Sequence, residues 1–267
     1  KSKWGAYVPG LMDRHPALNE EMVNIPFLLG LEVEADGERL DMERSTITRW
    51  QYWLDLRDGC VHRRVRWRTP RGAELDLAFH MYVHLPSQQV LWQRVDVRAV
   101  RGAASVRLTP FLDGDVRTNG FDHFAACATW SSASGELGVT ATLHNGAAVS
   151  ACARLLGAAQ WQARPGGRRI ALTCARRLTA GACWSVTKIT GVVTSLEADH
   201  PRRMARTLAA RALKTGPHAL YAEHRALWDA LWQRADVCIE GDDETELALR
   251  VSLYHLLRSH PRHPRAA

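Results

Sequence analysis

The chain has 267 residues, of which 46% are hydrophobic and 24% charged, and its formal net charge is +7. That is ample material for a large core and excludes a disordered chain. No apolar run reaches the ~20 residues that cross a bilayer, and no secretory pattern is visible from Lys1 onward, so a membrane is not an expected partner. The basic excess is mostly Arg scattered through alternating segments, as at Arg63, Arg64, Arg66 and Arg68, where it would line a solvated strand face. No motif accompanies that charge, which argues against nucleic acid. The six cysteines, at 60, 127, 152, 174, 183 and 238, contain no C-x-x-C pair. Free buried thiols in a reducing cytoplasm are therefore expected, rather than a zinc ribbon or a disulfide framework.

From about residue 45 to 195 the pattern is β. Leu75, Leu77, Phe79, Met81 and Val83 alternate with Asp76, Ala78, His80 and Tyr82, and Leu137, Val139, Ala141 and Leu143 alternate with Gly138, Thr140, Thr142 and His144. Period-two alternation buries one face of a strand. Similar runs start near Ile47, Cys60, Leu91, Ser105, Arg169 and Trp184. Turn signals divide them at Arg57-Asp58-Gly59, Thr69–Gly72, His144-Asn145-Gly146 and Arg164–Gly167. Many short strands without intervening helices predict antiparallel sheets packed as a large sandwich.

After Ser195 the period changes. Pro201 opens a helix whose apolar stripe reads Met204, Leu208 and Ala212, and Gly216-Pro217 ends it. A second helix carries Tyr221, His224, Trp228, Leu231 and Ala235 on one stripe. A third starts at Asp243 with Glu246 three residues on, like a capping box. Its stripe of Leu247, Val251, Tyr254 and Leu257 or Arg258 needs a partner beyond what the first two helices supply.

Catalytic patterns are sparse. There is no G-x-S-x-G elbow, P-loop or G-x-G-x-x-G fingerprint. His80 and His84 lack the Glu of a zinc-protease helix and lie in a strand pattern, so they read as core or surface histidines. Asp113-Gly114-Asp115 fails the calcium-loop template and reads as a turn held by Asp side chains. Glycoside chemistry needs paired carboxylates. Asp113/Asp115 and Asp242/Asp243 are the local pairs, and both fit caps or solvated charges better. Ten tryptophans could stack on sugar rings, but eight of them (Trp4, Trp50, Trp53, Trp67, Trp92, Trp130, Trp161 and Trp184) fall in the β part, where core filling is the expected role. No residue is assigned a catalytic, cofactor-binding or metal role.

Several segments are more specific together. Val8-Pro9-Gly10 precedes Glu21-Met22-Val23-Asn24-Ile25-Pro26. Leu54–Gly59 follows, with Arg63, Trp67, Pro70 and Gly72 behind it. Then come Phe111–Val116 with Asn119, His224-x3-Trp228-x3-Trp232, Asp236–Asp242 and Arg250–Leu257. In this order and spacing the chain resembles the N-terminal region of glycoside hydrolase family 65, the family of maltose, trehalose, kojibiose and nigerose phosphorylases and related hydrolases. The resemblance runs to Ser259.

It implies a mostly β fold: a large antiparallel β-supersandwich, galactose mutarotase-like, followed by linker α-helices and the first helix of a truncated (α/α)6 barrel. The implied boundaries are residues 1–195, 196–241 and 242–267. The implied role is non-catalytic support of the barrel and of a homodimer. The whole protein would act on an α-linked glucose disaccharide by inverting phosphorolysis to β-glucose 1-phosphate, or by hydrolysis. It would need no cofactor, with inorganic phosphate as co-substrate in a phosphorylase. The general-acid Glu would lie in the barrel, outside this chain, leaving the chain alone inactive. His260–Ala267 does not resemble the family's continuation, which suggests truncation or a frameshift. Two alternatives are a stand-alone carbohydrate-binding β-sandwich and a mutarotase-like enzyme, for which His123 and Glu136 are candidates by residue type.

Overall fold

The computed structural model describes residues 5–259, so Trp4 and the tail His260–Ala267 lie outside the described residues. The fold is mostly β. Eight strands form one antiparallel sheet in the order β10-β11-β12-β15-β8-β7-β6-β5. They are β5 (Thr46–Asp55), β6 (Cys60–Arg68), β7 (Glu74–Val83), β8 (Val90–Arg101), β10 (Phe124–Ser132), β11 (Glu136–Leu143), β12 (Ala148–Leu156) and β15 (Cys183–Thr194). A smaller sheet runs β13-β14-β9-β3-β4, from β13 (Gln162–Gly166), β14 (Arg169–Leu178), β9 (Ala104–Asp113), β3 (Leu31–Ala35) and β4 (Glu38–Arg39). β1 (Met12–Arg14) and β2 (Glu20–Met22) pair by themselves. The four strands β1 to β4 were not expected. At two to five residues each they are too short to show an alternation.

The alternating runs bury the face that the sequence assigns. Leu75, Leu77, Val95, Val97, Leu137, Val139, Ala141 and Leu143 of the large sheet meet Val106, Leu108, Leu112 and Leu172 of the small one in one continuous core. Trp67, Trp161 and Trp184 fill it, as expected of the β-part tryptophans, whereas Trp50 on edge strand β5 is 62% exposed. Arg63 departs from its neighbours. It faces the core side, over the Phe79 ring at 4.1 Å, while Arg66 on the other face forms a two-pronged pair with Asp76 at 2.7 Å. Adjacent strand residues point to opposite faces, so these arginines cannot share one wet surface.

Lys188 also points inward from β15. Its ammonium is fully buried and donates to the carbonyls of Leu28 (2.5 Å), Gly30 (3.1 Å) and Phe111 (2.7 Å). Burial pushes its pKa down to about 7. Three acceptors need all three ammonium protons, so the cage works against that push and favours the charged form. Lys188 thus bolts the segment 28–30 that leads into β3, and β9, onto β15.

Three helices follow: α1 (Pro201–Thr215), α2 (Pro217–Ala235) and α3 (Asp243–Ser259). α1 lies on the outer face of the large sheet, against Cys152, Ile189 and Val193. The residues it buries are Ala205, Ala209 and Ala212, and Met204 is 42% exposed, which corrects the expected stripe. The cause is close approach. A Cβ on Gly191 would come within 2.5 Å of the Ala205 carbonyl, so only small side chains fit beneath the helix. In α2 the buried residues are Leu220, His224 and Trp228, and Tyr221 is half exposed. The α3 cap sits one residue earlier than expected: Asp242 accepts from the Thr245 amide (2.9 Å) and hydroxyl (2.7 Å), while Glu246 accepts from the Ile239 amide (2.8 Å). Cys60, Cys152 and Cys174 are buried free thiols and Cys127 is half-buried, but Cys183 and Cys238 are exposed.

Candidate functional site

The turn between β5 and β6 is the Leu54–Gly59 motif, and it receives the helices. Arg57 clamps Asp55 through two nitrogens (3.0 and 2.8 Å), and the Gly59 amide closes on the Asp55 carbonyl (2.8 Å). That clamp holds the Asp55 carboxyl below the usual carboxylate range. Gly59 has φ +63°, and a Cβ there would sit 3.0 Å from the Trp228 ring, so this position needs glycine twice over.

Asp58 is the hub. Its Oδ1 accepts from the Cys60 amide (2.9 Å), its Oδ2 accepts from the Tyr221 hydroxyl (2.7 Å), and its carbonyl meets His224 Nε2 (2.5 Å). The Leu85 amide donates to His224 Nδ1 (3.0 Å), so the imidazole proton resides on Nε2 and donates to Asp58. Burial drives the His224 pKa down to about 4, which keeps this tautomer neutral. Burial, with Asp58 adding to it, raises Tyr221 to about 12. Trp232 Nε1 donates to the Leu56 carbonyl (2.8 Å).

The helices are then stacked on one another. Trp228 lies parallel to Tyr254 of α3 (centroids 5.2 Å apart, 18°) and to Trp232 (6.2 Å, 23°). Arg250 of α3 grips Asp236 through two nitrogens (2.7 and 2.9 Å) and also pairs with Glu246. Tyr254 and Leu257 are thereby used, while Leu247 (57%) and Leu256 (67%) stay exposed. The family-like motifs of the C-terminal third therefore converge on one seat. A second convergence ties down the N-terminal segment. Asn24 bonds Ala6 and Arg117, Asn119 bonds Glu21 (2.5 Å), and His123 sits between Asp13 (3.0 Å) and Glu21 (2.8 Å).

The remaining candidates are structural. Asp113 accepts from the Asp115 amide (2.9 Å), the turn anticipated for that pair. His80 contacts His62 (Nδ1 to Nδ1, 2.8 Å), whereas His84 lies 3.6 Å from Glu223, so the two do not converge. His123 and Glu136 flank opposite ends of β11, about 23 Å apart along the strand, so they cannot act as a pair. Glu136 is buried and committed to Arg154 (2.5 Å), Arg206 (3.0 Å) and the Trp130 indole (3.0 Å), beside an open cavity of about 760 Å³. Sequence reading missed one grouping. The ligand atoms of Asp58, Cys60 and His62 lie within 4.8 Å of one another. The signal was the D-x-C-x-H spacing, which runs from a turn onto one face of a strand.

A two-sheet antiparallel sandwich followed by helices seated on its edge hairpin defines the fold class. Residues 2–231 match the glycosyl hydrolase family 65 N-terminal domain, and the chain belongs to that family. The kojibiose phosphorylase of Halothermothrix orenii is 26% identical over 276 residues, covering 97% of this chain and 35% of that protein. The α,α-trehalose phosphorylase of Thermoanaerobacter brockii is 22% identical over 286 residues, covering 96% and 37%. A solved structure described as a kojibiose phosphorylase from the human microbiome superposes with a TM-score of 0.85 at 17% identity, over 97% of this chain and 36% of that one, which shows the shared fold. The chain spans about a third of the length of these relatives. No described helix is long and apolar enough to cross a membrane.

Proposed function

We propose that this chain is the N-terminal, non-catalytic part of an enzyme that phosphorolyses an α-glucosidic disaccharide with inversion. Inorganic phosphate is the co-substrate and β-glucose 1-phosphate the product, and the assembly is a homodimer. Residues 1–195 are the sandwich, 196–241 the linker, and 242–267 the opening of a helical barrel that carries the general acid. The observation that supports this most is α3: of its apolar stripe only Tyr254 and Leu257 pack on the seat, while Leu247 and Val251 of the same stripe, and Leu256 on the far face, stay exposed. An amphipathic helix whose apolar stripe is only partly covered fits one that packs against further chain. Family membership favours this reading over a stand-alone sugar-binding module. The test is direct. The purified 267-residue chain, given phosphate and kojibiose, trehalose, maltose or nigerose in turn, should release no glucose 1-phosphate. Turnover by the unaided chain would overturn the proposal.

A further inference from the structure

We propose that Asp58, Cys60 and His62 form a binding site for a zinc-class divalent ion at the base of the β5–β6 hairpin. Each offers one ligand atom (carboxylate oxygen, sulfur and ring nitrogen), and all lie within 4.8 Å of one another, with Asp58 and Cys60 buried. Bond lengths of about 2.0–2.3 Å place ligand atoms about 3.3–3.8 Å apart around a tetrahedral ion, so closing the site takes side-chain adjustments of about 1 Å. A mixed sulfur, nitrogen and oxygen set suits zinc or cobalt, not magnesium or calcium, which require oxygen.

The surroundings already orient two of the three ligands. Asp58 is held by the Cys60 amide and the Tyr221 hydroxyl. The His62 ring lies flat on Trp53 (4.9 Å, 15°). Its Nδ1 meets His80 Nδ1 at 2.8 Å, and His80 Nε2 faces Asp96 Oδ2 at 3.9 Å. Asp96 is in turn fixed by the Ser185 hydroxyl (2.5 Å) and Arg94 (2.8 Å). With the His80 proton directed to Asp96, His80 Nδ1 accepts from His62 Nδ1–H. His62 Nε2 is then left with its lone pair for the metal; the His62–His80 hydrogen bond holds that tautomer, and Asp96, 3.9 Å away, acts on His80 through its charge alone. Water completes the fourth position. The ion would fix the same carboxylate that already holds Tyr221 of α2.

The experiment uses the tag-free 267-residue chain, stripped with a chelator and titrated with Co²⁺. One equivalent should bind with a thiolate-to-cobalt charge-transfer band, displaced by Zn²⁺ and not by Mg²⁺. Cys60→Ser should abolish the band, His62→Gln should weaken binding about tenfold or more, and His80→Ala should weaken it about 10–100-fold. A Cys183→Ser/Cys238→Ser double variant, which removes the two exposed thiols, should keep the band. An X-ray absorption spectrum of the unmutated zinc form, which does not depend on variants folding, should show one sulfur among nitrogen and oxygen neighbours. A spectrum without sulfur, a band that survives Cys60→Ser, or one that disappears with Cys183 and Cys238 overturns the assignment.

Discussion

Between the two sheets, adhesion comes from apolar side chains at alternating strand positions, with Lys188 as a polar bolt through the middle. At the hairpin that receives α2 and α3, it comes from hydrogen bonds that helix side chains make to the buried and half-buried turn, capped by a three-ring aromatic stack. The first region gains chiefly from apolar area; the second adds directional bonds that fix geometry to a smaller apolar cluster around Leu85, Trp228 and Tyr254. Apolar area sets global stability, while directional bonds to a turn set where the helices point. The sandwich and the seat should therefore fail separately.

The largest effect falls in the sandwich. Lys188→Met removes a buried donor from the Leu28, Gly30 and Phe111 carbonyls, of which Gly30 keeps only the Phe111 amide, and should cost about 3–5 kcal/mol of global stability, read as a lower midpoint in urea. Next is Trp228→Ala, which removes the middle ring of the stack. It should lower the opening free energy of α2–α3 by about 3 kcal/mol while leaving the sandwich's urea midpoint nearly unchanged. A common loss in both regions would erase the distinction.

Acid provides a milder separation. His224 is pushed down to about 4 by burial, and the histidine value in an unfolded chain is about 6.5. Between those values the unfolded form binds more protons, so stability falls as the pH falls. Burial also lowers His80 and His84, so they act in the same direction. Protection of α2 amides, corrected for intrinsic exchange, should drop from pH 7 to pH 5 before that of β8 or β15. The smallest effect is Arg250→Ala. Its bond to Asp236 is solvent-exposed, and its loss should leave the urea midpoint unchanged and show only as faster exchange at the start of α3.

Much of the sandwich was legible because burial on one face writes itself as alternation, clearest in Leu75–Val83 and Leu137–Leu143. The first four strands were not, since two to five residues carry no period. The helices were legible as helices, but the buried face of α1 was not. Hydrophobicity favours Met204, whereas contact with the backbone at Gly191 selects alanine. The seat's motifs stood out as a family pattern. Their partners did not, because His224–Leu85 and Trp232–Leu56 lie 139 and 176 residues apart and local spacing says nothing about such pairs. The Asp58, Cys60 and His62 grouping was hidden for a similar reason, since Asp58 joins it only through the shape of the turn.

The claim that the Asp55–Gly59 turn is the seat of the helices is tested most directly at Gly59. Gly59→Ala adds a methyl 3.0 Å from the Trp228 ring at a backbone position with φ +63°. Hydrogen exchange followed by mass spectrometry should show α2 and α3 losing protection while β8, β12 and β15 keep theirs. Unchanged helices, or a sandwich that opens along with them, would contradict it.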